Sequence, residues 1–178
     1  MPNSVDVLIT YLEQNAQPFL RHPTTTRKTA IMRAENPPVH FYRYLYNTVG
    51  GPHHWVSRKR LSDETLREII HHPDDYIYVL YCDGAPAGMC EIDARAEDLA
   101  EIKFFGLAPE YVGAGLGRFF LTHAIRLAWA LEPKRVILET CTLDHPAALP
   151  LYQKLGFTVF DQRHGVVSLT DEDEMRHI

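Results

Sequence analysis

Apolar and polar residues alternate across Val5, Asp6, Val7, Leu8, Ile9 and Thr10, which predicts an opening strand with one buried face. From there to about Asn36 no period is sustained, and no element is assigned. Beyond Pro37-Pro38 the spacing changes. Phe41, Tyr44, Leu45 and Val49 recur at helical intervals until Gly50-Gly51-Pro52 stops them. A second helix opens at Ser62, whose hydroxyl can cap it. Asp63 and Glu64 stand in its first turn, where the helix dipole favours acids, and Leu66, Ile69 and Ile70 form its apolar face. His71 and His72 end it before Pro73.

YIYVLYC and AGMCEID flank the turn residues Asp83-Gly84, so residues 76–93 read as a hairpin. A third strand, AEIKFFGL, ends at Pro109. Residues 116–131 carry the clearest helical stripe, with Leu116, Phe119, Phe120, Ala124, Leu127, Ala128 and Leu131 on one face and His123 as a hydrogen-bonded core histidine. RVILETC then reads as a buried strand and residues 147–155 as a helix. FTVFDQR with GVVSLT reads as a closing hairpin. This order predicts a mixed sheet with helices on its faces, antiparallel early and crossing over through helices later.

A chain of 178 residues at 46% hydrophobic composition suits one domain over residues 1–178, with the acidic tail from 171 to 178 frayed. The net charge of −5 argues against nucleic acid as a partner. Arg27-Lys28 and Arg58-Lys59-Arg60 read as solvated surface. No cationic start precedes an apolar run, and no stretch approaches the roughly 18 apolar residues that span a bilayer, so the expectation is a cytoplasmic protein without a membrane partner. Cys82, Cys90 and Cys141 lack CxxC spacing and read as reduced core thiols. The pairs His53-His54 and His71-His72 diverge in space on any regular element, and no metal is expected.

The chemistry concentrates in AEIKFFGLAPEYVGAGLGRFFLTHAI, where a strand passes through a glycine-rich turn directly into the amphipathic helix. Glycines at 113, 115 and 117 allow close backbone approach. The amides of the turn and of the first helical turn are unsatisfied donors at the positive end of a dipole, a natural seat for phosphate oxygens. Arg118 would be disfavoured at a helix start unless an anion sat nearby; an ordinary surface arginine is the equal alternative. The segment lacks the GKS or GKT ending of a nucleoside-triphosphate loop. VGAGLG also falls out of phase with the dinucleotide fingerprint, and the strands before it form a hairpin rather than a βαβ unit.

The segment resembles the GNAT superfamily of acyl-CoA N-acyltransferases, whose turn has the form Gln or Arg, x, x, Gly, x, Gly or Ala between strand and helix. Here it reads Val112, Gly113, Ala114, Gly115, Leu116, Gly117, with Val112 departing from the usual Gln or Arg. After RVILETC, the run DHPAALPLYQKLGF resembles the family's second element, with His145 where many members carry Asn. Together the two cover residues 100–157. The resemblance implies a GNAT-like α/β fold with a central mixed, twisted sheet of six to seven strands. It also implies acetyl-CoA as co-substrate, an amine acceptor, transfer to a small molecule in a ternary complex, and room for a homodimer.

It further implies that the strands ending at Leu107 and Cys141 splay, with the pantetheine arm pairing near Phe105, Gly106 and Leu107 and the diphosphate on residues 112–118. An alkyl ammonium with a pKa of about 10 must lose a proton before it attacks. Glu101 matches the family's glutamate base, with a simple Glu101–Lys103 pair as the alternative and Glu91 and Asp93 as substitutes. Tyr152 matches the tyrosine that protonates the departing thiolate, and a backbone N–H near Leu107 the oxyanion donor. Tyr44, Tyr46, His54 and Trp55 are acceptor-pocket candidates by position, leaning toward an apolar or aromatic acceptor. Two rivals stand: a non-catalytic acyl-CoA-binding module, and a thiol hydrolase using Cys141, His145 and Asp144.

Overall fold

The structure, a computed structural model, describes residues 3–169, and the tail expected to fray lies outside them. One sheet contains β1 (Asn3–Gln14), β2 (Thr29–Arg33), β3 (Asp75–Cys82), β4 (Ala85–Asp93), β5 (Leu99–Leu107), β6 (Arg135–Cys141) and β7 (Thr158–Leu169). Its order is β2-β3-β4-β5-β6-β1-β7. Every neighbouring pair is antiparallel except β5 and β6. That parallel pair needs a crossover, supplied by α3 (Leu116–Trp129). The fold is the expected α/β arrangement with helices on both faces.

α1 (Val39–Gly50) and α2 (Asp63–Ile70) cover one face, closing Tyr42, Leu45, Val49, Leu66 and Ile70 over Ile77, Val79 and Met89. α3 and α4 (Ala148–Lys154) cover the other, where Phe120, Leu121, Ala124 and Ile125 pack on Ile92, Ile102 and Leu138. Each such large side chain contributes about 1.5–3 kcal/mol on burial. The Ser62 cap forms as read from the sequence, its hydroxyl accepting from the Thr65 amide at 3.2 Å.

Three expectations are corrected. The C-terminal run is a single strand, β7, and it pairs along its length with β1. Gly165 makes no turn there. It lies opposite Val7, and its missing side chain leaves room for Ile9. The unassigned stretch before Asn36 contains β2, an edge strand on β3. Arg58 is also not solvated. It is buried, and its guanidinium lies 2.5 Å from the Glu91 carboxylate, which also accepts from the Tyr42 hydroxyl.

Asp75 is buried beside this cluster, and neither carboxyl oxygen has a hydrogen-bond partner. Burial, with the Glu91 charge, pushes its pKa up to about 8. The folded state therefore holds a proton that the unfolded chain, with a carboxyl pKa near 4, has already lost at neutral pH. This contribution to stability is complete below about pH 4 and is lost as the pH rises through about 8. Asp75→Asn, which stays neutral, should accordingly flatten the fall in Tm between pH 6 and 9 measured by calorimetry, by about 2–4 °C per kcal/mol. Equal slopes in both proteins would show that Asp75 is ionised in the fold.

Candidate active site

β5 and β6 stay paired only from Leu99↔Arg135 to Ile102↔Leu138. Just beyond, the β4–β5 register jumps from Ile92↔Ile102 to Glu91↔Phe104, leaving Lys103 as a bulge. A bulge bends its strand and increases its twist, and here it coincides with the point where β5 leaves β6. The result is a fork in the sheet that opens a cleft of about 590 Å³. Residues 103–107 line one branch and residues 138–141 the other, so the splay expected of the strands ending at Leu107 and Cys141 is present. Phe105, Gly106 and Leu107 all border the cleft.

At one end of the cleft the chain turns into α3. Gly113 and Gly115 have φ values of 85° and 75°, in the left-handed region that costs glycine least, and open space surrounds the positions their Cβ atoms would take. Gly115 caps α3 without any side-chain cap. Among the described residues, no N–H from residue 113 to 118 donates to another protein group. Val112, Gly113, Gly115, Gly117 and Arg118 border the cleft, while Ala114 is exposed and the Leu116 side chain is in the core. The exposed Arg118 has no acidic partner among the described residues. Orphan amides, a helix dipole and a free guanidinium favour a bound anion.

The Acetyltransferase (GNAT) family model matches residues 30–157. The chain belongs to the GNAT acetyltransferase family. No curated protein sequence matches it significantly. Among solved structures, a GNAT-family protein from Novosphingobium aromaticivorans superposes with a TM-score of 0.61 at 20% identity, covering 93% of this chain and 66% of that one. A GCN5-related N-acetyltransferase from Sphaerobacter thermophilus gives 0.63 at 15% identity, covering 90% and 50%. An aminoglycoside acetyltransferase from an uncultured soil metagenomic sample, in complex with trehalose, gives 0.58 at 15% identity, covering 72% and 87%. At these identities the likeness shows the fold. This GNAT chain spans 66% and 50% of the length of the first two.

Acetyl-CoA, which the GNAT family typically uses, joins an extended thioester arm to a diphosphate. The orphan amides and Arg118 would hold the diphosphate, and the unpaired edges of β5 and β6 would flank the arm. Tyr152 lies on the α4 side of this cleft, its ring buried and edge-on to Phe157 at 6.3 Å. Burial raises its phenol pKa, with smaller contributions from the Asp144 and Cys90 charges. On the α1 side, Trp55 and Phe104 border the cleft with ring centroids 5.1 Å apart. Trp55 lies so close to the end of α1 that a Cβ at residue 50 would fall 2.2 Å from its ring, so only glycine fits there.

His54 also borders the cleft, whereas the other two acceptor-pocket candidates do not. Tyr44 points outward, half exposed, and Tyr46 is core, its hydroxyl 3.1 Å from that of Ser57. Glu101 stays off the cleft wall, with its carboxylate 3.2 Å from the Lys103 ammonium. Of its substitutes, Glu91 is sealed under α1 with Arg58, and Asp93 is held by Arg95, which keeps its carboxyl pKa low. The thiol-hydrolase cluster is not assembled. Asp144 accepts from the Thr140 hydroxyl at 2.6 Å and the Cys141 amide at 3.0 Å, His145 Nδ1 accepts from the Ala147 amide, and burial raises the Cys141 thiol pKa. Sequence reasoning missed Glu139, a carboxylate on β6 that borders the cleft. Its signal was a lone charge inside the apolar run RVILETC.

Proposed function

We propose that this chain is an N-acetyltransferase that takes acetyl-CoA into the forked cleft and passes the acetyl group to the primary amine of a small acceptor in a ternary complex. The carrying observation is that the orphan amides of residues 113–118 and the open strand edges of the β5–β6 fork border one continuous cleft. The thioester supplies an activated acyl carbon. The amine nitrogen bonds to that carbon as the C–S bond breaks, the amine's proton passes to a carboxylate, and Tyr152 donates its phenolic proton to the departing thiolate. A backbone N–H near Leu107 steadies the oxyanion. Glu101, the residue at the family's position, serves as the carboxylate only once freed from Lys103.

That Glu101–Lys103 pair, at 3.2 Å, also favours a second reading, in which the cleft binds acyl-CoA without turning it over. Calorimetric titration with acetyl-CoA, followed by thiol release across a panel of amines, amino acids, aminoglycosides and peptides, separates the two. Saturable binding with amine-dependent release supports the enzyme. Binding without release supports the module, and absence of binding removes both.

A further inference from the structure

Glu139 is the first β6 residue past the last β5–β6 pair, as Lys103 is on β5, so the two stand on either side of the fork. On β6, Val136 and Leu138 belong to the α3-side core, so strand alternation turns Glu139 to the face that carries α1 and α2. Its direct partner on β1 is Tyr11. α1 and α2 pack over β3, β4 and Phe104 but leave this part of the face open, where Val7, Ile9 and Val167 join Trp55 and Phe104 as an apolar wall of the cleft. Unlike Glu101, the Glu139 carboxylate has no hydrogen bond or ion pair among the described residues.

We propose that this half of the cleft is an acceptor subsite for a primary amine carrying one apolar or aromatic body and no second charge, with Glu139 receiving the ammonium and then its proton. This rests on the acetyl-transfer reading above. A second positive charge is opposed by the Lys103 ammonium on the cleft wall, while Asp144 is fixed at the end of β6, its Oδ2 accepting from the Thr140 hydroxyl and the Cys141 amide. The apolar wall rewards burial of a carbon skeleton and leaves polar substituents without partners. Glu139 is on the α1/α2 face and Tyr152 on the α4 face, so proton acceptor and proton donor flank the fork from opposite sides of the sheet.

The charges acting on Glu139 are those of Lys103 and Glu101 of β5 and Asp144 after β6; Tyr11 of β1 is its cross-strand partner, and His53 and His54 after α1 border the same cleft. Asp161 and Arg163 of β7 lie beyond Tyr11 and pair with each other at 2.8 Å. Although Glu139 opens to solvent through the cleft, the cleft walls desolvate its carboxyl enough to raise its pKa, with Glu101 and Asp144 adding to the rise and Lys103 opposing it. A raised carboxyl is better matched to accepting a proton near neutrality.

The test is steady-state thiol release with acetyl-CoA and 2-phenylethylamine, spermidine or kanamycin, for the native chain, Glu139→Gln and Glu101→Gln. We expect kcat/KM for 2-phenylethylamine to exceed that for the two polycations by tenfold or more. Glu139→Gln should lower it tenfold or more and abolish the acid limb of its pH profile, with the acetyl-CoA Kd within twofold of native. Preference for a polycation, or loss of rate and acid limb in Glu101→Gln but not in Glu139→Gln, overturns the proposal and leaves acetyl transfer standing. Acetyl-CoA binding without release from the native chain with any amine overturns acetyl transfer itself, and the proposal with it.

Discussion

Gly115→Glu is expected to weaken CoA binding by about 100-fold or more, equivalent to about 2.7 kcal/mol. The position caps α3 with φ 75°, nothing lies within 4 Å of where a Cβ would stand, and the turn borders the cleft. A carboxylate there would project toward the seat proposed for the diphosphate. Like charges about 5 Å apart at an effective dielectric of about 20 repel by about 3 kcal/mol per pair. Backbone strain alone would cost about 1–2 kcal/mol, so Gly115→Asn is the control, because asparagine tolerates the left-handed region and carries no charge. Calorimetric titration should find the asparagine variant within a few-fold of native. If the glutamate variant binds CoA as tightly as native, the amides of this turn do not hold the diphosphate.

Tyr152→Phe should lower kcat by about 100-fold or more, within the range for losing a general acid, and leave CoA affinity and Tm nearly unchanged. Packing survives the substitution, since the ring's contact with Phe157 needs no hydroxyl. Burial raises the phenol pKa, so the donor stays protonated from pH 6 to 9 and should add no alkaline limb to the kcat profile in that range. A thiolate released from acetyl-CoA in this largely apolar cleft would be disfavoured as an anion, which would promote its protonation. Unchanged turnover in pre-steady-state and steady-state assays would reduce Tyr152 to a packing residue.

Features set by local sequence were legible. The stripe of α3, the Ser62 cap, the Asp83-Gly84 hairpin and the glycine turn each depend on residues a few positions apart. Features that depend on distant partners were not. Nothing in the C-terminal run indicates that β1, from the other end of the chain, would enter the sheet between β6 and β7, so that run read as a hairpin. β2 carries Ala30, Met32 and Arg33 exposed on an edge and shows no buried face to count. Tyr44 and Tyr46 stand two positions apart on α1, which turns them to different sides, one toward solvent and the other into the core. Glu101 was visible through the family's motif, whereas the accessibility of Glu139 depends on a fork that forms only once a bulge at Lys103 parts two strands.

The structure of the protein crystallised with CoA tests the central claim most directly. The account predicts diphosphate oxygens within about 2.7–3.2 Å of amide nitrogens in residues 113–118, with the pantetheine arm running between β5 and β6 past Leu107. CoA seated elsewhere, or a diphosphate making no contact with those amides, would contradict it.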